Sequence, residues 1–162
     1  MNDRNSSRRF PRYAAPRYAA LWGLLIAMAM LTSGTLAQNG VTDRGVQKRM
    51  NTMADARTAI GTLADMMGGR TRFDSTKARA ARKNLIVATR SIPSVFKKPH
   101  SDPLSRARPD IWIRWDDFKA RANAAERAAR RLNTGRLGAL RSTLPAMVNA
   151  CLGCHRTYRR PR

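Results

Sequence analysis

Four stretches of the chain repeat their apolar positions with the period of a helix. In the first, about residues 42–67, the stripe is Val46, Met50, Met53, Ile60, Leu63/Ala64 and Met67. Arg57 interrupts it, and Gly68-Gly69 is a helix-ending pair. The second stretch, FDSTKARAARKNLIVATRSI, has Asp74 or Ser75 as its cap and sets Ala78, Ala81, Leu85, Ala88 and Ile92 at 3-4-3-4 spacing. Pro93 is expected to end it, because proline lacks the N–H a helix interior needs. A loop with three prolines follows and carries His100, which reads as a surface residue.

The third stretch opens at RPDIWIRWDDF, with Pro109 suited to a first turn. Ile111, Trp115, Phe118, Ala122, Ala125, Ala129 and Leu132 continue it without a break as far as Asn133-Thr134-Gly135. The fourth carries Leu137, Leu140, Leu144, Met147, Cys151, Cys154 and Tyr158 in the same rhythm, with a bend expected at Pro145. Val, Ile and Thr nowhere alternate over a strand length. These features predict an all-α protein, an antiparallel four-helix bundle with short links except one. The first three helices alternate large residues with alanines. Such a core either packs its helices closely or leaves room for something that is not a side chain.

Ahead of the bundle, residues 1–37 read as an export signal. Arg4, Arg8, Arg9, Arg12 and Arg17 form a basic region, LWGLLIAMAMLTSGTLA is the apolar stretch, and Thr35-Leu36-Ala37 approximates a cleavage site. The expected mature domain is therefore 38–162, in the periplasm, with no stable membrane anchor after cleavage near Ala37. The chain has 32 Lys and Arg against 10 Asp and Glu, a net +22, and removing five arginines and Asp3 leaves 27 against 9, or +18. The basicity belongs to the domain itself and favours an acidic partner. A nucleic-acid binder is the competing reading of that charge, but aromatic residues are only 6% of the chain and supply no stacking platform. Nothing resembles a catalytic dyad or triad, so an enzyme is not expected.

The chemistry concentrates near the C-terminus, in VNACLGCHRTYRR. Both cysteines of the chain, Cys151 and Cys154, are three apart with His155 directly behind, the attachment pattern of c-type haem. On a helix, positions i and i+3 face one side, so two thiols can add to two vinyl groups along one porphyrin edge. The following imidazole can then ligate the iron. A zinc site would need two more ligands, with His100 the one soft candidate. A dithiol redox pair would need a βαβ setting that the pattern lacks.

With CLGCHRTYR at its end, RPDIWIRWDDFKARA, VQKRMNTMADARTAIG and ALRSTLPAMVNAC in this order, the chain resembles class II cytochromes c, the cytochrome c-prime family, from about Val46 to Arg159. The resemblance implies one covalent haem c, bound through Cys151 and Cys154, with His155 as proximal iron ligand. In the low-spin branch a methionine of the first helix binds the iron, and Gln47-Lys48-Arg49-Met50 resembles that segment. Met50 is then the distal ligand, with Met53 as second candidate one turn on. A thioether sulfur suits ferrous iron. The implied function is electron transfer to an acidic redox partner. The alternative is a five-coordinate, high-spin haem that binds nitric oxide or carbon monoxide. Arg159 matches a family arginine near the proximal haem face, and Tyr158 is expected to pack on the ring. Val46 stands where many members carry an arginine for a haem propionate, a role open to Arg44, Lys48 or Arg49. A homodimer through the first two helices is common in the family.

Overall fold

Residues 40–161 are described in the structure, a computed structural model; the segment read as an export signal lies outside them. Five helices follow in order: α1 (Arg44–Met67), α2 (Ser75–Phe96), the single turn α3 (Asp110–Ile113), α4 (Trp115–Arg131) and α5 (Leu137–Tyr158). The long helices close a ring, α1 against α2, α2 against α4, α4 against α5 and α5 back against α1. Short links make α1 antiparallel to α2 and α4 antiparallel to α5. Among the described residues no helix is long and apolar enough to cross a membrane.

The ends of the helices follow from their sequence. Asp43 caps α1, its Oδ1 accepting from the Val46 N–H at 2.8 Å. Asp74 caps α2 by accepting from the N–H groups of Thr76 at 2.8 Å and Lys77 at 3.0 Å. Gly69, at φ +76°, takes the left-handed turn that stops α1, a conformation costly for any residue with a Cβ.

The boundaries of two elements depart from the pattern. Pro93 lies inside α2, which runs on to Phe96. Proline's fixed φ suits a helix, and the last turn is held from outside: the Trp112 indole N–H donates to the Phe96 carbonyl at 2.8 Å, and Arg49 Nε to the Val95 carbonyl at 3.3 Å. The third stretch is broken at Arg114, whose φ of −112° and ψ of 50° separate α3 from α4. Its apolar stripe nevertheless holds across the break, with Ile111, Phe118, Ala122, Ala125, Ala129 and Leu132 all buried.

The stripes of α2, α4 and α5 match the expected ones, whereas that of α1 is turned by one position near its start. Val46, Arg49, Ala59, Leu63 and Met66 are the buried residues, while Met50 is 43% exposed and Met67 only partly buried. A charged residue, Arg49, occupies the inward place. Two core clusters result. Leu63, Leu85, Leu140, Leu144 and Met147 centre the larger, in the half of the bundle where α1 and α4 end and α2 and α5 begin. Ile92, Phe96, Ile111, Phe118 and Tyr158 form the smaller, at the end where α5 finishes and α1 begins. Cys151 packs against the first and Cys154 against the second, so the pair straddles their junction.

The long segment between α2 and α3 is fastened to the start of α1. Asp102 is 8% exposed, and its Oδ2 accepts from the Thr42 N–H at 2.9 Å and the Asp43 N–H at 3.2 Å. The Leu104 N–H, at 2.9 Å from Oδ1, is the leading cause that holds this carboxyl below its ordinary range. His100 is half-buried rather than on the surface, with Nδ1 3.1 Å from Asp43 Oδ2. Its ring lies against Gly45, where an added Cβ would come within 2.3 Å of it. Gly45→Ala therefore displaces the imidazole from Asp43. The expected cost is about 1–3 kcal/mol, the usual range for overpacking, seen as a lower Tm by circular dichroism. An unchanged Tm would show that the ring moves aside freely.

Candidate haem site

A cavity of about 570 Å³ opens where the two core clusters meet, within the size range of sites that enclose a small organic ligand. One wall is α5, which contributes Cys151, Leu152, Cys154, His155 and Tyr158. α1 contributes Met50, Met53, Ala54 and Ile60. Ala122 and Ala125 of α4 leave the space between them, and Phe96 and Phe118 close the end. Small residues at helical spacing thus produce a slot rather than a closer helix contact.

The two thiols and the imidazole share this slot because positions 151, 154 and 155 lie on one side of α5. Burial pushes the Cys151 thiol up from its ordinary range, and pushes Cys154 up to about 11. Both are protonated at neutral pH, the opposite of the depressed pKa that marks a dithiol redox catalyst. Burial also lowers the pKa of His155, and the positive charges of Arg159 and Arg106 lower it further. A neutral imidazole, the form that donates a lone pair to a metal, is the result.

Five arginines reach the lining, Arg49, Arg57, Arg106, Arg121 and Arg159, and no aspartate or glutamate does. Arg106 and Arg159 are brought together by a two-strand clasp. The Arg108 N–H donates to the Tyr158 carbonyl at 3.0 Å and the Arg160 N–H to the Arg106 carbonyl at 2.8 Å. Arg121 is fixed by Asp117, its Nε 2.7 Å from Oδ2, and its Nη1 donates to the carbonyl of Gly153, inside the cysteine motif, at 3.3 Å. The Tyr158 hydroxyl donates to the same Asp117 carboxylate, and its ring meets Phe118 edge-on at 5.3 Å. Asp117 is held below the usual carboxylate range by Arg121 first and Tyr158 second.

The slot suits a flat, apolar macrocycle that carries two carboxylates. Its walls are aliphatic and aromatic, its edge is cationic, and two thiols stand three residues apart on one side. All five sequence-derived site residues, Cys151, Cys154, His155, Met50 and Arg159, line it, as does the second candidate Met53. Of the three residues considered for a propionate contact, Arg44 and Lys48 are exposed and only Arg49 lines the slot. Pattern reading missed Arg106 and Arg121. Arg121 could have been found from its place three residues after Phe118 and four after Asp117; nothing local marks Arg106.

The Cytochrome C' family model matches residues 44–159. A cytochrome c-556 of Agrobacterium fabrum is 30% identical over 145 residues, 87% of this chain and 91% of the relative. A cytochrome c-554 of Cereibacter sphaeroides is 28% identical over 144 residues, 84% and 94% of the two chains. Among solved structures, a ferrous variant of cytochrome c prime from Alcaligenes xylosoxidans with bound NO superposes with a TM-score of 0.66. It is 20% identical and covers 73% of this chain and 94% of that one.

Proposed function

Because the chain belongs to the cytochrome c' family, and as a member holds a covalent haem c with its iron, we propose that it is a periplasmic mono-haem electron carrier. Cys151 and Cys154 make the two thioether bonds, His155 is the proximal ligand, and Met50 is the distal one. When bound, the haem supplies a one-electron ferric–ferrous couple; the protein supplies its surroundings. A neutral His155 offers its lone pair without first losing a proton. The aliphatic and aromatic walls exclude water, and a Met/His pair favours the ferrous state. Arg159, with Arg106, places positive charge at the proximal edge, where it stabilises anionic haem carboxylates.

One observation carries the reading: the thiols and imidazole of α5 and the methionines of α1 line the same slot. No substrate-converting group is needed. The domain's basic surface steers it to an acidic partner protein, with an association rate that falls as salt rises. Electron-transfer encounters of this kind need only a small interface.

Reduced holoprotein tests the reading directly. Low-spin Met/His iron gives sharp, split α and β bands that carbon monoxide leaves unchanged. Immediate uptake of carbon monoxide by the reduced protein, with a broad visible band, would replace the electron carrier with a gas-binding protein. That second reading draws on the bound NO of the Alcaligenes structure.

A further inference from the structure

Arg49 is the least exposed charged residue among those described, at 2%. Its side chain crosses from α1 to the end of α2 and the segment beyond. Nε donates to the Val95 carbonyl at 3.3 Å, Nη1 to the His100 carbonyl at 2.9 Å, and Nη2 to the Lys98 carbonyl. The flat guanidinium lies 4.9 Å from the ring centre of Trp112 and 5.1 Å from that of Phe96. Its bonding partners are carbonyls, not carboxylates. Taking such a charge out of water is costly, and an apolar side chain could fill the same place at lower cost. A rigid fork tied to three acceptors and laid between two rings gives something an apolar side chain does not, a single orientation.

That orientation matters because of what stands beside it. Consecutive residues of a helix point about 100° apart, so seating Arg49 inward directs Met50 to the wall of the slot. Met53 lies one turn further along the same wall. Two thioethers therefore compete for one distal position, and a small rotation of α1 would exchange them or withdraw both. Asp102 and His100 hold the same segment against Thr42 and Asp43, so the clamp acts at the second of two fastenings on this end of α1.

We propose that Arg49 is a positioning residue: its clamp on the carbonyls of Val95, Lys98 and His100 selects Met50 as the distal iron ligand and keeps it in place. The inference rests on the assignment of Met50 as ligand. It is tested on exported holoprotein by comparing Arg49→Lys, Met50→Leu and the double variant. Measured are the covalent haem mass, the ferric sulfur-to-iron charge-transfer band, the rate of carbon monoxide uptake after reduction, and Tm. Lysine keeps the charge but cannot serve three carbonyls in a plane. R49K is expected to retain its haem, weaken the sulfur band and take up carbon monoxide about tenfold faster than wild type, as the open population grows. In the M50L background the same change is expected to alter uptake by less than about twofold, because the ligand it positions is gone. A lower Tm with the band and uptake rate at wild-type values would reduce Arg49 to a structural tie and overturn the proposal, as would equal acceleration in both backgrounds. Failure of the underlying assignment shows differently, as an M50L protein whose uptake matches wild type. Should R49K yield no holoprotein, Trp112→Leu, which removes one ring from the guanidinium, carries the same expectation and the same refutation.

Discussion

Replacing Cys151 and Cys154 together by serine is expected to leave the bare polypeptide mass after export from a host that matures c-type cytochromes. Formation of each thioether adds an S–H across a vinyl double bond, with no oxidant and no leaving group. A serine hydroxyl does not add under those conditions. Each single variant retains one sulfur and is expected to keep the haem mass through one bond, at reduced yield. The structural consequence is as large as the chemical one. Cys151 packs on the larger core cluster and Cys154 on the smaller, and the slot between them is lined by alanines that cannot close it. Without the group that fills it, Phe96, Phe118, Ile92 and Met53 border open space, and the lost contacts fall on both clusters at once. The double variant should therefore also unfold at a lower temperature than the holoprotein, followed by far-ultraviolet circular dichroism. A double variant that still carries the haem mass would show that attachment does not run through these sulfurs.

The pattern read best where a helix buries only uncharged residues. Ala78, Ala81, Leu85, Ala88 and Ile92 alternate at three and four without a competing charge, and each is buried as expected. The same holds from Ile111 to Leu132 across the break at Arg114, except at Trp115, which is only half-buried. Periodicity survives that break because Ile111 and Trp112 are anchored from outside the helix, by the smaller core cluster and by the bond to Phe96. The start of α1 was harder, since a stripe drawn through apolar residues puts arginine in water by default. Arg49 is inside because three carbonyls near the end of α2, some fifty residues away, lack helical partners and lie within its reach. No local window contains both halves of that contact.

The site divides in the same way. Cys151, Cys154 and His155 were legible because the chemistry demands a short spacing on one helix. The cationic edge was legible only at Arg159, because Arg57, Arg106 and Arg121 come from α1, the segment ahead of α3, and α4. Their common feature, a lining with no carboxylate, exists only once the chain is folded. Such an edge also limits what the slot accepts. It disfavours a cation and favours a group that brings its own negative charge, which a haem does through its two propionates.

Met50→Leu is expected to open the iron. Leucine occupies nearly the same volume, and volume-conserving swaps usually cost less than about 1.5 kcal/mol, so fold and covalent haem should persist while the sulfur donor disappears. Ferric protein should shift to a high-spin spectrum, and reduced protein should take up carbon monoxide on mixing. The reduction potential should fall as well, because a thioether stabilises ferrous iron more than ferric. Each tenfold change in that preference is worth about 59 mV for a one-electron couple. Met53→Leu is the control, expected to keep the low-spin spectrum and the wild-type potential. If Met53→Leu opened the iron and Met50→Leu did not, the ligand would lie one turn further along α1 and the inward seat of Arg49 would select the other sulfur. If neither variant differed from a wild type that already bound carbon monoxide, both methionines would be wall rather than ligand, and the slot would belong to a gas-binding haem.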